Sequence, residues 1–84
     1  MKIFIQGAGR GIGLAFAKHA LASQQGDDWH MFLTARIPED SDGYKQLPPS
    51  ANITWIAMDY LDPDSITKAG IEAAKHTNQL DRVI

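Results

Sequence analysis

Three glycines near the start of the chain have a spacing that suits a phosphate-binding turn. Gly7, Gly11 and Gly13 lie between a short apolar run and a segment rich in helix-forming residues. Bare backbone amides at the start of a helix bind anions well, because the helix dipole favours negative charge there and no β-carbon holds the ligand away. This segment therefore predicts a strand-to-helix turn that binds the pyrophosphate of a dinucleotide. The alternative is a flexible glycine loop without a ligand.

Each glycine is expected to have its own role. Gly7 would make the sharp turn, Gly11 would let the phosphates approach, and Gly13 would let the helix press against the sheet. The spacing is G-x-x-x-G-x-G and departs from the common G-x-G-x-x-G fingerprint. The predicted binding segment also includes the residues between these glycines, namely Gly9, Arg10 and Ile12.

The elements that must position this turn start with a strand and a helix. Lys2 to Gln6 predicts a strand, and residues 11 to about 24 predict a helix. Two adjacent apolar stripes on this helix lead us to expect burial around most of its circumference. One stripe is Leu14, Ala17 and Leu21, and the other is Ile12, Ala15, Phe16 and Ala20.

The second and third strands are expected to follow, separated by a polar loop. Trp29 to Ala35 is apolar enough through its centre to indicate a parallel strand covered on both faces. Residues 36–52 are polar and proline-containing, and predict a loop with at most one helical turn near Tyr44 to Leu47. Ile53 to Met58 predicts the third strand.

A second long helix and a fourth strand complete the chain. Asp62 as N-cap and Pro63 at the first helical position mark the helix start, and Asn78 is expected to end it. Its apolar face comprises Ile66, Ala69, Gly70 and Ala73, and Leu80 to Ile84 begins the last strand. The order β-α-β-loop-β-α-β predicts an α/β fold, a parallel sheet with right-handed crossovers, and one incomplete Rossmann domain over residues 1–84.

Composition excludes several classes of function. The 84 residues are 44% hydrophobic and 21% charged, which argues against a disordered tail or a membrane protein. A net charge of -2 provides no basic field for nucleic acid. There is no cysteine, which excludes disulfides and thiolate metal sites and agrees with a cytoplasmic location. The three histidines are far apart and fit no metal-ligand motif.

The glycine spacing after an N-terminal strand resembles the short-chain dehydrogenase/reductase family. The resemblance runs along the whole chain: Ala35-Arg36 closes the second strand, Asp59 follows the third, and the segment 80–84 resembles the approach to the family's fourth strand. A looser similarity links it to the bacterial C-factor-like members. Two departures from the family's pattern affect the assignment to a subgroup rather than to the family. Gln6 stands where the family usually has threonine, and residues 36–52 stand where most members have a fuller helix.

This resemblance implies NADP, rather than NAD, as the cofactor. An NAD-preferring enzyme usually carries a carboxylate at the end of the second strand, where this chain has Ala35 followed by Arg36. Arg36, with Arg10 on the other side, is suited to a 2′-phosphate. The resemblance also places Asp59 on the adenine amino group and the backbone of Tyr60 beside it. The alternatives are that Arg10 and Arg36 are ordinary surface charges and that Asp59 only stabilises a turn.

The family's catalytic residues are not found in this sequence. That chemistry uses a serine and a Tyr-x-x-x-Lys pair, but Pro48 lies four residues after Tyr44 and Asp64 lies four after Tyr60. We therefore expect no catalytic residue here, and interpret the chain as a fragment cut in or after its fourth strand. In the family's strand order, 3-2-1-4, that strand would be an open edge, so we expect the chain, if it stands alone, to self-associate into a homo-oligomer.

Three hypotheses follow. The first is the cofactor-binding half of an NADP-dependent oxidoreductase that acts on a carbonyl or alcohol, with the small-molecule substrate bound only by the full-length parent. The second is a non-catalytic nucleotide-binding or sensing module. The third is a self-associating fragment whose glycine turn binds nothing.

Overall fold

Four strands and three helices alternate along the chain, as a computed structural model of residues 2–24, 26, 28–77 and 80–84 describes them. They are β1 (Lys2–Ile5), α1 (Gly11–Ser23), β2 (His30–Ala35), α2 (Asp42–Gln46), β3 (Ile53–Ala57), α3 (Pro63–His76) and β4 (Arg82–Val83), with a 3-10 turn at Pro38–Asp40 before α2. The predicted α/β order is confirmed, and β1 to β3 end within one residue of their predicted bounds.

The strands form one parallel sheet in the order β3-β2-β1-β4. In register, Phe4 of β1 lies opposite Phe32 of β2, and Leu33 of β2 lies opposite Trp55 of β3. The glycine segment follows β1, one of the two inner strands of the sheet. This arrangement places the turn between the ends of β2 and β4.

Core residues lie on both faces of this sheet, because successive strand side chains point in opposite directions. The cluster under α1 contains Ile3, Ile5, Leu14, Ala17, Met31, Leu33 and Leu47. The cluster under α3 contains Phe4, Phe32, Ile56, Met58, Ala69 and Ala73. The prediction that β2 is covered on both sides is therefore confirmed.

Helix α1 is less buried than its sequence indicates. Its first stripe meets the sheet, since Leu14 and Ala17 are buried and Leu21 packs against the core. The second stripe was expected to be buried too, and this was wrong for most of it. Ile12 is 78% exposed and Phe16 is 45% exposed, because both side chains border an open cleft rather than another element. Ala15 is exposed as well.

Residues 36–52 are more ordered than the predicted loop. The 3-10 turn begins at Pro38, and α2 starts at Asp42, two residues before the predicted helical turn. The Ser41 hydroxyl accepts a hydrogen bond from the Tyr44 amide at 3.2 Å and so fixes the start of α2. This single N-cap interaction explains why the helix begins earlier than predicted.

Helix α3 begins as predicted. The Asp62 side chain accepts from the Asp64 amide, and Pro63 follows it. Ala69 and Ala73 are buried on its predicted apolar face, while Ile66 and Gly70 are exposed. The predicted helix end at Asn78 lies outside the described residues, and β4 is shorter than the predicted strand. Across the described part of the chain, no helix has both the length and the apolar character needed to span a bilayer.

Candidate functional site

An open cleft of about 1030 Å³ lies over the ends of β1, β2 and β3, where parallel sheets commonly bind ligands. All ten residues that the sequence predicts for cofactor binding line this cleft. They are Gly7, Gly9, Arg10, Gly11, Ile12, Gly13, Ala35, Arg36, Asp59 and Tyr60. The structure therefore brings the predicted set together, and the binding role of each residue stays a prediction.

The glycine turn has a conformation that other residues rarely adopt. Gly7 and Gly11 both have φ of 63°, in the left-handed region that favours glycine. At Gly11, no atom lies within 4 Å of the position that a β-carbon would occupy. The backbone of Gly11 therefore faces open space in the cleft, as a residue that lets a phosphate approach should.

Gly13 brings α1 into close contact with the turn itself. A β-carbon at Gly13 would overlap the carbonyl oxygen of Gly7 and lie 3.0 Å from that of Gln6. The expected contact with the sheet is in fact a contact with the backbone that leaves β1. Gly9 is also closely packed, since its β-carbon would lie 2.8 Å from the Ser41 β-carbon and 3.2 Å from that of Ala35.

The start of α1 leaves its amides available. Arg10 is the N-cap residue and makes no side-chain capping bond, and the first turn contains no acidic residue. Within the described part of the chain, the amides of residues 9–13 donate no hydrogen bond. The first amides of a helix need partners from outside it. This cradle of free N–H groups and missing β-carbons fits a pyrophosphate.

Two residues that the sequence analysis missed hold the turn in place. Thr34 is 1% exposed, and its hydroxyl and carbonyl oxygens accept from the amides of Gly7 at 3.0 Å and Ala8 at 2.8 Å. The Gly43 amide donates to the Gly9 carbonyl at 2.7 Å. Thr34 could have been found, because a hydroxyl inside an apolar strand must find a partner when it is buried.

The two predicted phosphate-binding arginines border the same cleft from different elements. Arg10 occupies the N-cap position of α1 without making a capping bond, and Arg36 follows β2. Both are exposed, and neither forms an ion pair or hydrogen bond with another residue in the described ranges. Asp40 and Asp42 also line the cleft. The two guanidinium groups are therefore free to bind an anion, although carboxylates share their surroundings.

Asp59 stabilises a turn at the end of β3. Its carboxylate accepts from the Leu61 amide at 2.9 Å, and its own amide donates to the Ser65 hydroxyl at 2.8 Å. Asp59 therefore stabilises a turn through one of its carboxylate oxygens, as the alternative interpretation of the sequence expected. The adenine interaction predicted for Asp59 stays a prediction.

The described residues contain no group of three or more histidine, aspartate or glutamate side chains that could hold a metal ion.

Tyr44, the other tyrosine, lies outside the cleft lining and packs against Trp55 with ring centroids 5.9 Å apart. The cleft as described can bind and orient an anionic ligand through backbone amides and guanidinium groups.

Comparison with known proteins gives structural relatives only. No family model and no curated protein matches the sequence. The Sniffer protein of Caenorhabditis elegans, considered a carbonyl reductase, superimposes with a TM-score of 0.84 and 19% identity over 98% of this chain and 34% of its own. The NADPH-bound carbonyl reductase from chicken fatty liver gives a TM-score of 0.81 and 27% identity over 98% of this chain and 32% of its own.

These similarities agree with the resemblance found in the sequence. Both solved structures match nearly the whole chain, which itself spans only about a third of either protein. The partial Rossmann fold is confirmed by these matches. The chain is therefore similar in structure to carbonyl reductases of the short-chain dehydrogenase/reductase type.

Proposed function

We propose that this chain is the cofactor-binding part of an NADP-dependent oxidoreductase that acts on a carbonyl or alcohol. The observation that carries the proposal is the uncapped start of α1. The amides of residues 9–13 have no acceptor in the described ranges, and Gly7 and Gly11 in the same turn have left-handed φ angles. Arg10 and Arg36 line the same cleft. Anion binding at a helix start of this kind is well established.

The residues of the cleft would divide the work of binding. The backbone amides of residues 9–13 would bind the pyrophosphate, and the Arg10 and Arg36 side chains would bind the 2′-phosphate. The Asp59 side chain and the Tyr60 backbone would bind the adenine. Ala35 leaves space beside Arg36 where a carboxylate would repel the phosphate. When bound, the nicotinamide would supply hydride transfer to or from the substrate.

One of the solved structures supports the choice of cofactor. The chicken liver protein is NADPH-bound, which favours NADP for this chain. Because neither tyrosine is followed by lysine at the fourth position, we propose that the 84 residues alone are catalytically inactive. The serine and the Tyr-x-x-x-Lys pair would come from the rest of a longer parent protein, which would also bind the substrate. A cytoplasmic location stays a prediction.

Calorimetric titration of the intact protein tests the cofactor. We expect NADP⁺ and 2′,5′-ADP to bind about tenfold more tightly than NAD⁺ and 5′-AMP, respectively, because hydrogen bonds to a charged group typically contribute that much. Arg36→Ala should remove the preference. Arg82→Ala, an exposed arginine on β4 outside the cleft, should leave it intact. Equal affinity for NADP⁺ and NAD⁺ would show that the cofactor assignment is wrong.

A non-catalytic nucleotide-binding module is the alternative, favoured by the missing tyrosine–lysine pair. The reductase and the binding module differ in whether the protein converts a carbonyl substrate. An intact protein that binds NADPH and oxidises it in the presence of small aldehydes or ketones is a reductase. Tight NADPH binding without turnover across a broad carbonyl panel would favour the module.

We also propose that the 84 residues, when they stand alone, self-associate through β4. This strand lies at the edge of the described sheet, and Val83 is 59% exposed there. Exposed apolar edges pair readily with other strands. Sedimentation velocity should show a dimer or larger species that Val83→Lys shifts toward monomer. A monomer at all concentrations would contradict this proposal and leave the cofactor assignment unaffected.

A further inference from the structure

The side chain of Tyr60 extends from the end of β3 to the glycine turn that follows β1. Its hydroxyl oxygen lies 2.8 Å from the position that a β-carbon on Gly7 would occupy. A β-carbon at position 7 would require this exposed hydroxyl to move away, and any residue other than glycine would be strained there at φ of 63°. The hydroxyl therefore reaches the turn because residue 7 is a glycine.

This hydroxyl has no hydrogen-bond partner within the described ranges. The side chain is 61% exposed and lines the cleft. A phenol can donate one hydrogen bond, and the amides of residues 9–13, which line the same cleft, are also donors without acceptors in the described ranges. Several free donors at one turn, with no protein acceptor among them, are suited to a multiply charged anion.

We propose that the Tyr60 hydroxyl is a side-chain donor to the pyrophosphate of the bound dinucleotide. This inference rests on the proposed cofactor function and adds to the backbone contact that the family resemblance implies for Tyr60. The phenol would add a side-chain hydrogen bond to those that the backbone amides of the same cleft donate.

Removing only the hydroxyl tests this role. In the intact protein, Tyr60→Phe should weaken NADP⁺ binding about tenfold, the usual effect of a lost hydrogen bond to a charged group. It should leave the affinity for adenosine 2′-monophosphate unchanged, because this probe has no pyrophosphate. Calorimetry measures the first ligand and ligand-observed NMR the second, weaker one. Tyr44→Phe is the matched control, since that exposed tyrosine does not line the cleft.

The outcomes separate this inference from the proposed function. If the unsubstituted protein binds neither NADP⁺ nor the monophosphate, the proposed function is wrong, and this inference is wrong with it. If the unsubstituted protein binds NADP⁺ and Tyr60→Phe binds it equally well, only the donor role is wrong. Tighter NADP⁺ binding by both Tyr60→Phe and Tyr60→Val would show that the phenol obstructs the turn, and equal weakening for both ligands would show a general packing effect. Both results would overturn the donor role.

Discussion

The two long helices begin in opposite ways. At α3, the Asp62 carboxylate accepts from the Asp64 amide at 3.0 Å, and Pro63 removes one amide that would otherwise need a partner. At α1, the capping position is Arg10, which has no acceptor to offer and makes no capping bond. The same chain thus uses a standard cap at one helix and omits it at the other.

This difference distinguishes a structural helix start from one suited to a ligand. A basic residue at an N-cap is unfavourable, because it adds positive charge to the positive end of the helix dipole. The unfavourable choice at α1 coincides with left-handed glycines and the cleft, whereas α3 starts with exposed acidic residues. We infer that the amides of α1 are reserved for an external anion, and the following variants test this contrast.

The largest effect is expected at Gly13. Gly13→Ala places a β-carbon on the Gly7 carbonyl, so we expect a loss of about 3 kcal/mol in the free energy of unfolding together with loss of nucleotide binding. Gly70→Ala on α3 is the control, because nothing lies within 4 Å of its added carbon. It should stabilise the protein by about 0.5–1 kcal/mol in urea unfolding. Equal stability of the two variants would contradict the close contact at Gly13.

The next largest effect is expected from giving α1 the cap that α3 already has. Arg10 has the extended backbone of an N-cap residue, with φ -164° and ψ 173°, so Arg10→Asp should stabilise the protein by about 1 kcal/mol. The same change should weaken NADP⁺ binding about a hundredfold, because it replaces an attractive charge with a repulsive one. Arg82→Asp is the matched charge change away from the cleft. A gain in both stability and affinity would refute the division of roles between the two helices.

The converse change at α3 should affect stability alone. Asp62→Ala removes the carboxylate that accepts from the Asp64 amide, which should lower the free energy of unfolding by about 1 kcal/mol. Asp62→Asn should recover most of that loss, because the amide oxygen can still accept. Nucleotide affinity should stay within twofold of the unsubstituted protein at about 25 °C. A large fall in affinity would mean that the two helix starts are coupled.

The smallest effect concerns the opposite end of the sheet, where α3 finishes. Burial, together with the nearby charges of His76 and Lys2, lowers the pKa of His30 below its ordinary value. The unfolded chain therefore binds this proton more readily, and stability should fall as the pH drops from about 6.5 through the lowered pKa. Thermal unfolding between pH 5 and 7.5 should show a weaker pH dependence for His30→Gln. His19→Gln, on the exposed side of α1, should behave like the unsubstituted protein.

Local signals in the sequence predicted the strand–turn–helix unit and the capped start of α3 correctly. Glycines at fixed spacing and an Asp-Pro pair act through their own backbone, so they need no knowledge of distant residues. The exposure of Ile12 and Phe16 could not be predicted in this way. Helical periodicity identifies an apolar stripe, but the neighbours that cover a stripe depend on the tertiary arrangement.

The sequence predicted which residues would come together at the cleft, but it did not predict the hydrogen bonds that join them. All ten predicted residues line one cleft, because they follow strand ends that a parallel sheet places at one edge. The bond between Gly43 and Gly9 joins segments 34 residues apart along the chain, and no local pattern marks either partner. The position of the Tyr60 hydroxyl over Gly7 depends on the sheet order in the same way.

The Gly43–Gly9 bond has a consequence for redesigning cofactor preference. The loop that carries Arg36 continues through Ser41 into Gly43, whose amide anchors the glycine segment, and a β-carbon on Gly43 would lie 2.9 Å from the Trp55 ring. Replacing residues 36–43 with the corresponding segment of an NAD-preferring enzyme would therefore release the anchor of the glycine segment as well as remove Arg36. Grafts that keep Ser41 and Gly43 in place should change selectivity without a general loss of affinity for both dinucleotides.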